Sequence, residues 1–189
     1  MSAARSYLDH NATTPVRPEV AAAMARALAL PGNASSVHAE GRAARSAVEQ
    51  AREEVAVLVG GSARNVIFTS GGTEAANTVL TPSLRWDGEA DASLLLVGAI
   101  EHPCVLDGHR FPTRQVERIP VDGQDVIDLS WLAARLQRAG GDRVLVSLQA
   151  ANNETGVIQP VAEAAALVHH DRGLLHADAV QAAGKIPCD

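Results

Sequence analysis

The chain has 189 residues, of which 47% are hydrophobic and 20% charged, and its formal net charge is −6. This composition is typical of a globular domain and argues against disorder over the whole length. The 16 Lys and Arg residues are scattered among 22 Asp and Glu residues, so a surface that binds nucleic acid is not expected.

Apolar runs alternate with helical patterns along the chain. Helices are predicted at residues 18–30, 38–58, 74–80, 129–139 and 161–172. Strands are predicted at residues 66–69, 94–99, 116–121, 144–149 and 174–177. Strands that are separated by helices imply parallel or mixed pairing with right-handed crossovers, and so a layered α/β/α architecture with a mostly parallel (mixed) sheet is expected.

Membrane, disulfide and metal sites are not expected from the sequence. No apolar stretch follows Arg5 as in a signal peptide, and the longest apolar run, residues 94–100, is too short to cross a bilayer. A cytoplasmic protein without membrane contact is therefore expected. Cys104 and Cys188 belong to no CxxC pair, and the seven His residues include no HxxxH pair, which argues against disulfides and against a metal site.

Ligands of open α/β sheets bind beyond the carboxyl ends of the strands, so polar residues after each predicted strand are candidate site residues. Residues 70–74 (SGGTE) place a glycine turn at a helix amino end, which suits a phosphate group. A tight turn with Thr73 as the helix N-cap explains the same residues. His102, after the next predicted strand, suits ring stacking or proton transfer, although a loop histidine needs neither role.

Two further strand ends are polar. Residues 149–156 (QAANNETG) follow a buried run, and a simple turn accounts for them as well as a binding site does. Asp178 ends the last predicted strand, where a carboxylate needs a cationic or hydrogen-bond-donating partner. A protonated pyridine nitrogen is one such partner, because the carboxylate keeps the ring cationic.

Taken together, these segments resemble the successive signatures of cysteine desulfurases, which are class V aminotransferases of fold type I. The matching segments are residues 7–15 (YLDHNATTP), 32–38 (GNASSVH), 68–74 (FTSGGTE), 101–102 (EH), 151–156 (ANNETG) and 176–181 (HADAVQ). The resemblance implies an amino-terminal arm with a substrate loop over residues 1–15. It also implies an incomplete large domain of a pyridoxal-phosphate-dependent transferase over residues 16–189, without the family's small domain.

The resemblance assigns cofactor-binding roles to six of these positions, of which Asn153 also faces the substrate. Gly72, through its backbone, and Thr73, through its hydroxyl, would hold the phosphate of pyridoxal 5′-phosphate. His102 would stack on the ring and act as the catalytic residue that shuttles protons. Asp178 would pair with the ring nitrogen, and Gln181 would donate to the phenolic oxygen.

The resemblance also implies a reaction and its partners. The family converts L-cysteine to L-alanine and passes the sulfur, as an enzyme persulfide, to acceptor or scaffold proteins of iron–sulfur cluster and thio-cofactor assembly. Asn153 would lie beside both the cofactor and the substrate carboxylate, and Ala12 and Thr13 would line the substrate pocket. A full-length relative would be a homodimer.

Two essential residues of the family have no match in these 189 residues. One is the Schiff-base lysine, expected in an SGHK-like motif beyond Asp178, and Lys185 does not align with it. The other is the persulfide cysteine, which neither Cys104 nor Cys188 matches. The chain alone is therefore predicted to be inactive. The alternatives are a selenocysteine lyase or another class V enzyme, and a non-catalytic remnant or one half of a split protein.

Overall fold

The computed structural model describes residues 6–86, 88 and 91–188. The chain divides into two units, which among these residues comprise 6–68 with 186–188, here called the helical unit, and Thr69–Lys185, here called the sheet unit. Residues 1–5 of the predicted arm lie outside the described residues. The boundaries predicted for an arm at residue 15 and a large domain from residue 16 stay predictions.

The helical unit contains α1, Pro18–Leu28, and α2, Ala39–Leu58. Both predicted helices are therefore confirmed. Helix α1 begins with a proline, which lacks the N–H that a first turn leaves without an acceptor, and it buries no side chain. Helix α2 begins after His38, whose Nδ1 accepts a hydrogen bond from the main-chain N–H of Gly41 at 3.3 Å.

The strand predicted over residues 66–69 is wrong. A short 3₁₀ helix, Ala63–Asn65, precedes it, and Val66 is extended with φ −80° and ψ 124°. However, extended backbone forms a strand only when a neighbour supplies ladder hydrogen bonds, and no described strand pairs with this segment. Ile67 is 81% exposed as a result. The Arg52 guanidinium instead donates to the Val66 carbonyl and lies 5.1 Å from the Phe68 ring centroid.

Among the described residues, the sheet unit contains four α-helices and four strands. In chain order they are α3 Gly72–Val79, β1 Leu94–Gly98, α4 Pro103–Leu106, β2 Val116–Ile119, α5 Leu129–Gln137, β3 Val144–Gln149, α6 Val161–His170 and β4 Leu174–Asp178. The sequence predicted all four of these strands and all of these helices except α4, a single turn that begins with proline. The predicted ends differ from those of the structure by a few residues at most.

The four strands form one sheet in the order β2-β1-β3-β4, and each neighbouring pair is parallel. Strand β1 is paired with β2 on one side and with β3 on the other, so the connections that leave β1 and β3 run to opposite sides. Such a change of direction opens a crevice at the carboxyl ends of the two strands. The register brings Gln149, the last residue of β3, opposite Asp178, the last residue of β4.

Helices cover both faces of the sheet, which confirms the α/β/α layers. Leu96, Val146 and Leu148 pack in one cluster with side chains of α5 and α6. Leu95 and Leu145 pack in a second cluster with side chains of α3 and α4. Side chains alternate between the two faces along a strand, so the polar residues at the ends of β3 and β4 lie on the face covered by α3 and α4. No helix in the described part of the chain is both long and apolar enough to span a membrane.

Candidate functional site

The first turn of α3 follows the glycine turn at residues 70–72. Gly71 is the N-cap, so the alternative in which Thr73 caps this helix is wrong. Glu74 Oε2 accepts a hydrogen bond of 2.6 Å from the main-chain N–H of Ser70, which lowers the pKa of that carboxyl group. A Cβ atom on Gly71 would meet nothing within 4 Å, and one on Gly72 would lie 3.2 Å from Val180 Cγ2. The start of α3 is therefore open and lies beside the segment that follows β4.

Cys104 marks the place where three parts of the chain meet. Burial raises the pKa of its thiol, the Asp178 carboxylate raises it further, and a side-chain hydrogen bond with Thr73 lowers it. Helix α3 contacts both α4 and β4, and a Cβ atom on Gly72 in its first turn would lie 3.2 Å from Val180 Cγ2, two residues beyond Asp178. Thr73 and Asp178, which the sequence predicted as members of one site, therefore lie on neighbouring elements.

Asp178 is held by main-chain hydrogen bonds on both sides. Its carbonyl accepts from the N–H of Ala150 at 2.8 Å, and its Oδ1 accepts from the N–H of Val180 at 3.0 Å. The side chain is half-buried at the end of β4. The structure thus fixes a carboxylate at the carboxyl end of the sheet, as predicted.

His102 lies at the N-cap of α4, with its side chain exposed. Its Nδ1 accepts a hydrogen bond of 3.1 Å from the main-chain N–H of Cys104. An imidazole nitrogen that accepts a hydrogen bond carries no proton, so the neutral ring has its proton on Nε2. His102 therefore directs a potential proton donor away from α4.

Glu101 is a buried member of the site to which the sequence assigned no role. Its side chain is 5% exposed, and Oε1 accepts a hydrogen bond of 2.6 Å from the main-chain N–H of Gln149. Burial raises the pKa of Glu101 to about 8, the Gln149 hydrogen bond lowers it and the Asp178 charge raises it. Gly98 leaves room for this side chain, because a Cβ atom there would lie only 2.7 Å from Glu101 Oε1, but a glycine in the sequence does not by itself indicate a buried carboxyl group.

The turn after β3 contains two asparagines with different environments. Asn152 is 7% exposed; its Nδ2 donates to the Ile100 carbonyl at 3.1 Å, and its Oδ1 accepts from the N–H groups of Glu154 and Thr155 at 2.7 and 2.8 Å. Asn153 is half-buried, and its Nδ2 donates to Glu154 Oε1 at 2.7 Å. Asn152 therefore shapes the turn, and the role predicted for Asn153 stays a prediction.

The remaining predicted residues lie after β4 and in the helical unit. Gln181 Oε1 accepts a hydrogen bond of 2.6 Å from Nζ of Lys185, the only lysine of the chain. Ala12 and Thr13 are exposed in the helical unit, where Tyr7 Oη donates to the Thr13 carbonyl at 3.1 Å. Their predicted substrate contacts stay predictions. Among residues 6–86, 88 and 91–188, no group of three or more His, Cys, Asp or Glu side chains could hold a metal ion.

The chain is similar to known proteins in sequence and in fold. The chain is 43% identical over 190 residues to a cysteine desulfurase of Cereibacter sphaeroides, in an alignment that covers 97% of this chain and 48% of the relative. Among solved structures, a NifS-like protein from Rickettsia africae superposes with a TM-score of 0.84 at 31% identity, covering 97% of this chain and 50% of the other. A structure of SspA in complex with cysteine superposes with a TM-score of 0.78 at 26% identity, covering 94% and 51%.

The chain thus spans about half the length of the relatives that it matches. The family model for aminotransferase class V matches residues 6–189, almost the whole sequence. Its match includes every candidate site residue described above. The chain belongs to the aminotransferase class-V family.

Proposed function

We propose that this chain forms the cofactor-binding part of a cysteine desulfurase, with pyridoxal 5′-phosphate bound at the carboxyl ends of β1, β3 and β4. The observation that supports this best is that α3, with Thr73 in its first turn, contacts both α4 and β4, the strand that ends at Asp178. These contacts bring a helix amino end and a fixed carboxylate to the same edge of the sheet as His102. The relatives named as cysteine desulfurases support the choice of reaction.

The first turn of α3 fits a phosphate group. By helix geometry, the first N–H groups of a helix have no acceptor within it, and the helix dipole adds partial positive charge there. Gly72 and Thr73 lie in this turn, and the space beside Gly71 contains no atom within 4 Å of a Cβ position. Gly72 would therefore bind the phosphate through its main-chain N–H, and Thr73 through its hydroxyl group.

Asp178 and His102 fit the ring of the cofactor. When bound, pyridoxal phosphate supplies an electron-withdrawing ring that stabilises negative charge on the α-carbon of an amino acid. Asp178 would hold a proton on the ring nitrogen by its negative charge. His102 would lie against the ring and move protons through Nε2, and Gln181 would donate to the phenolic oxygen.

The substrate proposed is L-cysteine, and the products are L-alanine and a sulfur atom that a cysteine of the protein carries to an acceptor. The structure of SspA with cysteine supports this class of substrate. Asn153 would bind the substrate carboxylate, with Ala12 and Thr13 contributing to the pocket. We further propose that the acceptor is a protein of iron–sulfur cluster or thio-cofactor assembly, and that the working protein is a cytoplasmic homodimer.

Two parts of this reaction need residues that the 189 residues do not match, namely the lysine that anchors the cofactor and the cysteine that takes the sulfur. We propose that both are encoded beyond Asp189. Reading the coding sequence tests this directly: an in-frame SGHK-like motif and a later cysteine motif support the proposal. An immediate stop codon contradicts it and favours a remnant or split protein.

The activity is tested on the protein expressed from its complete reading frame. Incubation with L-cysteine and a thiol reductant is expected to release alanine and sulfide in equal amounts. Asp178→Asn, which keeps the shape but removes the charge, is expected to lower the rate about 100-fold or more. Asp171→Asn, at an exposed carboxylate after α6, is the matched control. No alanine from either cysteine or selenocysteine contradicts the proposal, and turnover of selenocysteine alone identifies a lyase.

The 189-residue chain alone is expected to form no covalent bond with the cofactor. Lys185 Nζ is hydrogen-bonded to Gln181, and Lys185 is the chain's only lysine. Pyridoxal phosphate would be added, the mixture reduced with borohydride, and the digested chain analysed by mass spectrometry. Lys185→Arg is the control. Stoichiometric labelling of Lys185 would show that this chain anchors the cofactor itself.

A further inference from the structure

Glu101 is a buried acidic residue at the carboxyl end of the sheet. The proposed reaction assigns it no role. It is 5% exposed, and its Oε2 is buried without a hydrogen-bond partner among the described residues. A buried polar atom of this kind requires an explanation. Its neighbour in the chain is His102, the proposed proton carrier.

We propose that Glu101 is a positioning residue of this site: its buried carboxyl group joins the loop that contains His102 to the end of β3, and it does so as a neutral acid. The join is a property of this chain's fold. Its effect on cofactor binding rests on the proposed function.

The join consists of three hydrogen bonds between the loop after β1 and the end of β3. Glu101 Oε1 accepts from the Gln149 main-chain N–H at 2.6 Å, and the Ile100 carbonyl accepts from Gln149 Nε2 at 2.7 Å and from Asn152 Nδ2 at 3.1 Å. The loop and β3 meet where the strand order changes direction, so these bonds close the base of the crevice. Gly98 allows the approach, because any Cβ atom there would collide with Glu101 Oε1.

His102 follows directly from this join. Its ring is fixed at one end by the hydrogen bond from the Cys104 N–H to Nδ1, and its backbone is fixed by the two residues before it. If the join were lost, the loop and the start of α4 would move together, and the ring of His102 with them. Glu101 therefore acts through His102, without touching the substrate itself.

The surroundings of Glu101 favour the neutral acid. The charged group that acts on it is the Asp178 carboxylate, which cannot carry positive charge. The described residues give it no ion-pair partner. A buried carboxylate without a cation is far more costly than a buried acid. The raised pKa of Glu101, about 8, agrees with this.

A neutral Glu101 has a consequence for Asp178. A neutral acid adds no second negative charge that would act on the half-buried carboxylate of Asp178. This is the residue that is proposed to face the cofactor's ring nitrogen.

The test compares Glu101→Gln, which keeps the shape and the neutral state, with Glu101→Ala, which removes the carboxyl group and its hydrogen bond from the Gln149 N–H. Glu163→Gln, at an exposed position in the first turn of α6, is the matched control. All three are made in the protein expressed from its complete reading frame. The first readout is the infrared carbonyl band of a protonated carboxylic acid at neutral pH, assigned with ¹³C-labelled glutamate. It is expected in the parent and in Glu163→Gln, and not in Glu101→Gln.

The second readout is the ¹⁵N spectrum of the His102 imidazole in histidine-labelled protein without cofactor. Glu101→Gln is expected to leave the Nδ1 and Nε2 signals in place, and Glu101→Ala to shift both. In a third readout, Glu101→Ala is expected to weaken the binding of pyridoxal phosphate about 10- to 100-fold, as loss of other supporting residues does, and Glu101→Gln by no more than about threefold.

The proposal is overturned if the acid band is missing from the parent at neutral pH, or if Glu101→Gln shifts the His102 signals as Glu101→Ala does. If Glu101→Ala does not fold, the proposal is still tested by the carbonyl band of the parent and by the His102 signals of Glu101→Gln. The band and the spectrum are both recorded without cofactor. Their outcome therefore tests the role of Glu101 independently of the proposed function. A correct band and spectrum in a protein that binds no pyridoxal phosphate uphold the role of Glu101 and reject the proposed function.

Discussion

The two units of the chain contain similar amphipathic helices, but they differ in what those helices bury. Helix α1 of the helical unit buries nothing, and along it Val20, Met24 and Leu28 are 46%, 57% and 85% exposed. In the sheet unit, Leu132 of α5 and Val168 of α6 are fully buried against the sheet. An apolar stripe in the sequence therefore predicts that a helix forms. Whether the stripe is buried depends on a second surface that packs against the helix.

The second surface in this chain is the parallel sheet. Strands β1 and β3 lie at its centre and are buried along their whole lengths, so each gives apolar side chains to the helices on both faces. Burial of apolar surface is the main favourable contribution to folding. The comparison predicts that the stability of the described chain resides chiefly in the sheet unit.

The largest expected effect tests that comparison directly. Leu145→Ala, at a fully buried position in β3, is expected to lower the free energy of unfolding by about 3–5 kcal/mol, because it leaves a cavity beneath α3 and α4. Leu28→Ala in α1 should change it by less than about 0.5 kcal/mol. Urea unfolding can be followed by Trp86 and Trp131, which both lie in the sheet unit. Equal losses in the two variants would break the comparison.

A second effect, on the order of a few kcal/mol, comes from the buried Glu101. Its pKa is about 8 in the folded chain and close to the ordinary 4.5 in the unfolded chain. Between these values only the folded state keeps the proton, so the free energy of unfolding should fall as pH rises through this window. Below the window and above it, this group should contribute no slope. Unfolding titrations at several pH values measure the effect, and Glu101→Gln should remove it.

The strands of the sheet show how far the sequence could predict the fold. The run at residues 144–149 is apolar almost throughout, and this is typical of a strand buried on both faces of a parallel sheet. The run at residues 66–69 has the same character, yet it forms no strand. The two runs differ in whether a neighbouring strand pairs with them. A strand forms only by pairing, and the local sequence pattern does not reveal whether a partner strand is available.

Candidate site residues could be proposed from the sequence at the strand ends, but not at the buried positions beneath them. His102 and Asp178 could be proposed because polar residues at the ends of buried strands stand out, and Thr73 because a glycine turn precedes a helical pattern. A family resemblance supported all three. Glu101 and Asn152 could not be proposed, because their tasks depend on hydrogen bonds to Gln149 and Ile100, which come from other parts of the chain. A charged residue in a polar motif gives no sign of being buried.

A smaller effect tests the close packing between Gly98 and Glu101 at the site, in contrast to an open position elsewhere in the sheet unit. Gly98→Ala places a Cβ atom 2.7 Å from Glu101 Oε1, and it is expected to cost about 1–3 kcal/mol of unfolding free energy. Gly123→Ala, where a Cβ atom would meet nothing within 4 Å, is the matched control. The cost should shrink in the Gly98→Ala, Glu101→Ala double variant, because the colliding carboxyl group is gone. Undiminished cost would show that Glu101 is not what restricts residue 98.

The smallest expected effect compares a helix cap in each unit. Asp128 Oδ1 accepts from the Trp131 N–H at 2.9 Å at the start of α5, and His38 Nδ1 accepts from the Gly41 N–H at 3.3 Å at the start of α2. Replacing a capping aspartate by alanine costs about 1 kcal/mol. Asp128→Ala should reach that value, because α5 unfolds only with the sheet that it covers. His38→Ala should cost less than about half as much, because its hydrogen bond is long and α2 buries few side chains.

Hydrogen exchange measures this last difference residue by residue. The N–H groups in the first turns of α5 and α2 would be compared in the parent and in the two variants. In α5, loss of the cap should affect only the first turn, because Leu132 and Leu136 remain packed in the core. In α2, exchange should quicken well beyond the first turn, because little else holds that helix. Exchange that stays slow in α2 would mean that the helical unit is stabilised by more than its buried residues.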